Sequence, residues 1–178
     1  LGILNSQAAG AAGAGAYDLL ETQTLGTAAS SVTFTGLGSY SDYKHLQIRY
    51  VARSDSSGAN LFDLQVNGVS SGYATHNLQG NGSSVTSTAD VPKGVMLRLI
   101  IPDSTTSEVF GCGVIDLLDF SSTSKNSTAR SLSGSTLSND ERVQLSSGLY
   151  PVTTAITSIT LLSSDLAAGS RFSLYGVK

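Results

Sequence analysis

Apolar residues recur at every second position in segment after segment of this chain, and a period of two is the signature of half-buried strands. In YKHLQIRYVARS, Leu46, Ile48, Tyr50 and Ala52 share one face, while His45, Gln47, Arg49 and Arg53 share the other. LFDLQVNG sets Phe62, Leu64 and Val66 against Asp63, Gln65 and Asn67, and SVTFTGL puts Val32 and Phe34 together. VMLRLII aligns Val95, Leu97, Leu99 and Ile101 and then meets Pro102, which cannot donate to a ladder. EVFGCGVIDLLDF is apolar on both faces, as a central strand is, with Cys112 read as a small buried hydrophobe. RVQLSSGLY, AITSITLLS and RFSLYGV complete the series.

Turn chemistry separates these runs: RSDSSGAN, QGNGSS, SSTSKNST and SSDLAAGS, with the hairpin dipeptides Asn67-Gly68 and Asn81-Gly82. Charged residues are only 13% of the chain, and 30 Ser, 17 Thr and 19 Gly take their place. Long surface helices need Glu, Lys, Gln and Arg, so this composition argues against them and for short strands joined by turns. The expectation is an all-β fold, an antiparallel jelly-roll-like β-sandwich of about ten strands, built from residues 17–178 as one domain. Its last strand, where Phe172, Leu174 and Gly176 alternate with Arg171, Ser173 and Tyr175, is too apolar to fray and is expected inside a sheet. Leu46, Ile48, Phe62, Leu64, Leu97, Leu99, Val114 and Leu174 form the expected core.

Residues 1–16, LGILNSQAAGAAGAGA, differ from the rest, being rich in alanine and glycine and free of charge. Glycine in such number is costly in a helix and has no side chain to pack. The segment reads either as a flexible leader or as an extended arm that orders against a neighbour. The apolar tip favours the arm, with Leu1, Ile3 and Leu4 as partner-binding anchors.

Few chemical constellations survive inspection. A net charge of −3 gives no basic footprint for nucleic acid, and no run of 18 apolar residues offers a membrane span. LGILNSQ has neither the basic start nor the long apolar core of a secretory signal. One cysteine makes no internal disulfide, and with two distant histidines it makes no zinc site. His45 and His76 are read as surface residues rather than bases, and no phosphate-cradling glycine loop occurs. Asp116, Asp119 and the Asn139–Glu141 loop could supply oxygens to a cation but read as solvated acids, so no metal and no cofactor are expected. Tyr40, Tyr43, Tyr73 and Tyr150 fall near strand ends where loops meet solvent, and with Asn81 and Asp103 they form the alternative, a glycan-binding surface.

AYDLLETQTL, YSDYKHLQIRYVARS, GCGVIDLLDF with KNSTAR, YATHNLQGNG and the closing GSRFSLYGVK all fall between Ala8 and Lys178. In these stretches the chain resembles a family of virion structural proteins of tailed bacteriophages, especially marine ones. The resemblance implies a non-enzymatic β-sandwich component of the particle, used in head decoration, a fibre or the tail. It implies other virion proteins as partners and a homo-oligomer, for which a trimer is the expectation.

Overall fold

The computed structural model describes residues 3–6, 15–57, 60–102, 104, 108–136 and 141–178. Among them lie thirteen strands: β1 (Ile3–Ser6), β2 (Tyr17–Leu25), β3 (Ala29–Thr35), β4 (His45–Ala52), β5 (Asn60–Val66), β6 (Tyr73–Gly80), β7 (Val85–Lys93), β8 (Leu97–Ile101), β9 (Gly111–Leu118), β10 (Ser127–Ser135), β11 (Arg142–Tyr150), β12 (Ser158–Leu166) and β13 (Arg171–Val177). They form two antiparallel sheets, one of nine strands in the order β1-β2-β13-β4-β9-β10-β11-β6-β7 and one of four in the order β3-β12-β5-β8. The all-β sandwich is as expected. An order of nine and four with a plain β9–β10–β11 meander does not establish the jelly-roll connectivity. Asn81-Gly82 turns the β6–β7 hairpin as expected, whereas Asn67-Gly68, both at positive φ, makes a tight turn that carries the chain from β5 in one sheet to β6 in the other and is not a hairpin.

β13 lies inside the large sheet, paired with β2 on one side and β4 on the other. It sends Phe172 and Leu174 into the interior, both fully buried. There Tyr50 and Phe172 from the large sheet close around Phe62 from the small one, with ring centroids 4.7 Å (Tyr50–Phe62) and 6.1 Å (Phe62–Phe172) apart and both contacts edge-on. This aromatic contact joins the two layers at their centre. Edge-to-face rings contribute about 0.5–1.5 kcal/mol beyond the area they bury.

Seven of the eight expected core residues are buried; Val114 is the exception. The inward positions of β9 are Gly111, Gly113, Ile115 and Leu117, and the last two sit beside Ile48 and Leu46 of β4. β9 is apolar except for Asp116, which shares the phase of Cys112 and Val114 and is the sequence's one sign that this set points outward. Gly113 decides it: the Tyr50 ring lies over this position, and a Cβ there would meet the hydroxyl at 2.5 Å. Val114 and Cys112 therefore face outward, and Cys112 is exposed rather than buried.

The small sheet's two outer strands are closed by glutamines from the large one. Buried Gln23 of β2 donates to the carbonyl of Thr33 on β3 at 2.9 Å and to Glu21 at 2.8 Å. Buried Gln144 of β11 donates to the carbonyl of Arg98 on β8 at 2.5 Å, which also accepts from Ser146 at 3.1 Å. Unpaired edge groups are thus satisfied across the sandwich instead of along it.

Leu174→Ala should lower stability by about 2–5 kcal/mol, the usual cost of truncating a buried leucine. Val114→Ala should cost less than about 1 kcal/mol, because it lies half-exposed on the outer face. Denaturant titration of the two variants measures the difference, and equal costs would contradict the assignment of faces.

Candidate interaction surface

From β10 onward the alternation of the large sheet is inverted. β10 turns Ser127, Ala129, Ser131, Ser133 and Ser135 inward, and β11 turns Gln144, Ser146, Gly148 and Tyr150 inward. The leucines between them point to solvent: Leu132 is 50% exposed, Leu145 51% and Leu78 of β6 49%. Register lines these up in one row across the sheet, Val114 beside Leu132, Leu132 beside Leu145, and Leu145 beside Leu78. At roughly 4.8 Å per strand the row is about 14 Å long. Val51, Val143 and Val85, also exposed, extend it into a patch.

The small inward residues have a steric reason. β8 packs against β10 and β11, and a Cβ on Gly148 would lie far inside van der Waals contact with the Met96 carbonyl oxygen. No side chain fits at Gly148, and Gln144 and Ser146 in the same phase bond the Arg98 carbonyl, so β11 turns this set inward and Val143 and Leu145 outward.

The rest of the outer face is polar and already paired. Asp116 on β9 accepts from Gln47 of β4 at 2.7 Å and from Arg130 of β10 at 3.0 Å. Arg49 donates to Gln47 at 2.8 Å, and its guanidinium lies over the rings of Tyr175 and Tyr17 at 4.5 and 5.1 Å. The polar network runs from β2, β13 and β4 to Asp116 of β9 and Arg130 of β10, and the leucine row lies beside it across β9, β10, β11 and β6.

The residues singled out in the sequence do not gather into one site. Ile3 and Leu4, expected to seat in a neighbour, lie on β1, whose backbone pairs with the chain's own β2 opposite Leu25 and Thr24. Leu1, Asp103, Asn139 and Asp140 lie outside the described residues. Tyr73 and Tyr150, expected near solvent, are buried and packed together with centroids 5.5 Å apart. The Tyr73 hydroxyl bonds Val66 N–H and the carbonyls of Val66 and Val69 at 3.1, 3.2 and 3.0 Å. It latches the turn after β5, and the pair offers no ring face to a sugar. Tyr40 and Tyr43 are half-buried against the core, and Tyr43 lies over Gly176. Asn81 is spent on its own turn, its side-chain oxygen accepting from the N–H groups of Ser83 and Ser84.

The acids are held by neighbours. Asp119 binds Lys125 at 2.6 Å, which holds its carboxyl below the usual carboxylate range, and the Asp119 N–H donates to His45 Nδ1 at 3.0 Å. His76 is exposed, in a shallow recess with Leu78, Leu145 and Ser147. Gly68–Gly72 matches the G-x-S-x-G spacing of a nucleophile elbow. The stretch joins β5 to β6 with no helix after it, so Ser70 is not held as an elbow serine. The local signal for the outward leucine row is misleading, since the alternation of RVQLSSGLY puts Val143 and Leu145 inside, and only the register and packing reverse it. The chain matches no family model, no curated protein and no solved structure.

Asp18 binds Lys178 at 3.0 Å and accepts from the Tyr43 hydroxyl at 2.9 Å, fastening β2 to the end of β13. The Lys178 contact, then the Tyr43 bond, lowers the Asp18 carboxyl from its ordinary value. A lowered folded value means that this stabilisation is present above the ordinary carboxylate range and lost as pH falls through the lowered one. Amide protection of residues 175–178, corrected for intrinsic exchange, should hold above the ordinary carboxylate range and fall as pH is lowered through and below it. In Asp18→Asn it should be low and flat over the same range.

Proposed function

We propose that the chain is a non-enzymatic structural component of a tailed-phage virion, a capsid decoration or fibre protein that docks on other virion subunits. The observation that carries the reading is the inverted half of the large sheet, where a leucine row faces solvent while serine and glutamine fill the interior. Contiguous exposed apolar patches mark protein contacts, and scattered surface leucines do not. The resemblance in YKHLQIRYVARS, GCGVIDLLDF and GSRFSLYGVK supplies the particle as the setting. The leader remains the second proposed contact, through Leu1, Ile3 and Leu4, and a symmetric trimer the proposed assembly. A glycan-binding module on the tail has less support, because the Tyr73–Tyr150 pair is buried.

Leu132→Lys with Leu145→Lys tests the reading directly. Both positions are half-exposed, so the melting temperature should stay close to that of the parent while co-sedimentation with virions lacking the protein falls by at least about tenfold. That fall corresponds to losing roughly 1.4 kcal/mol of contact energy. Deleting residues 1–16 should likewise weaken attachment and leave the sandwich folded. Parent protein that binds no virion, or a double variant that binds as well as the parent, would refute the reading.

A further inference from the structure

The sandwich has four outermost strands, and three of them are protected. β3 and β8 have carbonyls taken by Gln23 and by Gln144 with Ser146. β1 is only four residues long. β7 is nine residues long, ends the large sheet, and is solvent-exposed from Val85 to Ala89. Its sequence protections, Asp90, Pro92 and Lys93, and the irregular pairing opposite Tyr73 and Thr75, all fall in its second half. A long exposed edge with neither charge nor proline is a template for another strand.

The unprotected half reads Val85-Thr86-Ser87-Thr88-Ala89, which is chemically palindromic about Ser87. We propose that two copies of this chain pair edge to edge through β7, antiparallel about a twofold axis at Ser87. In that register Thr86 of each copy faces Thr88 of the other, a hydroxyl pairing that antiparallel strands favour, and Val85 faces Ala89. A twofold contact must be self-complementary, and a palindrome meets that demand where an unrelated partner's strand would have no reason to. Ser87 sits beside Leu78 in the register, so the pairing also brings the two outer apolar rows into line on one face of the joined sheet, with the Ser87 pair between them. The large sheet would become one sheet of eighteen strands, twice the nine of each copy.

The proposal does not rest on the virion reading. Its test uses the full chain with Cys112→Ser, which removes the one native thiol. On a twofold axis a residue faces its own copy with Cα atoms about 4.5–5.5 Å apart, within the range a disulfide spans. Ser87→Cys should therefore form a covalent dimer under mild oxidation. Val85→Cys lies about 13 Å from its own copy in this register, at four residues of strand rise, and should not. Light scattering of the parent should rise with concentration towards twice the 18.3 kDa of one chain. Ser87→Lys, which sets two ammonium groups against each other, should raise the dissociation constant about tenfold or more with an unchanged melting temperature. A strict monomer, a trimer without a dimer, cross-linking at Val85 but not at Ser87, or a dimer indifferent to Ser87→Lys would each overturn the pairing. None of these outcomes depends on whether the protein binds virions, so docking on the particle and the β7 pairing stand or fall separately; a closed dimer would replace the trimer as the assembly.

Discussion

The small sheet is four strands wide and lies against a sheet of nine, and most of the molecule's character follows from that mismatch. Where the layers overlap fully, over β13, β4 and β9, the interior is carbon: Phe172, Leu174, Ile48, Tyr50, Ile115 and Leu117 against Phe62, Leu64 and Leu161. At the margins the small sheet leaves the Thr33 and Arg98 carbonyls without a partner strand. Gln23 and Gln144 reach across the gap to meet them. The two amides take the place of a fifth strand's N–H at one carbonyl on each edge.

Beyond β9 the interior changes from carbon to hydroxyl. Tyr50 sends its hydroxyl to Ser133, and burial raises the phenol well above its ordinary value. The buried hydroxyls of Thr75, Ser127, Ser131 and Ser135 have no partner among the described residues. Small polar groups bury little apolar area, so at roughly 25 cal/mol per Å² this half of the sandwich gains less from packing than the half around Phe62. The β6–β7 hairpin lies at the weakly packed side, and β13 lies in the strongly packed one. Local opening should follow that gradient.

The same gradient decides what the sequence can reveal. Strands in the carbon half announce themselves, because Leu46, Ile48 and Ala52 or Phe62, Leu64 and Val66 alternate with polar residues. β10 reads in part as a turn, since its inward residues are serine and a serine period looks like a loop. Cys112 and Val114 read as inward because GCGVIDLL is apolar but for Asp116. That acid, in phase with them, is the sign against the reading, and the Tyr50 ring over Gly113 agrees with it. Tyr73 reads as a surface ring, and nothing local shows that its hydroxyl will find three backbone groups around Val66. The candidate surface is illegible for a related reason: an exposed row exists only once register brings Leu78, Leu145 and Leu132 side by side.

That register is held against a competing one. Sliding β11 by one residue would carry Val143 and Leu145 inward and Gln144 and Ser146 outward, the arrangement that hydrophobicity alone prefers. Two specific contacts oppose the slip. Gln144 and Ser146 bond the Arg98 carbonyl, and Gly148 lies beneath Met96, where a Cβ would run into the Met96 carbonyl. The slip would lose both bonds and drive a side chain into the Met96 backbone. Close packing at β8 therefore selects the strand face, and the leucines are left outside as its consequence. An apolar surface produced this way is fixed in place by the fold rather than by loop conformation, which suits a rigid docking face.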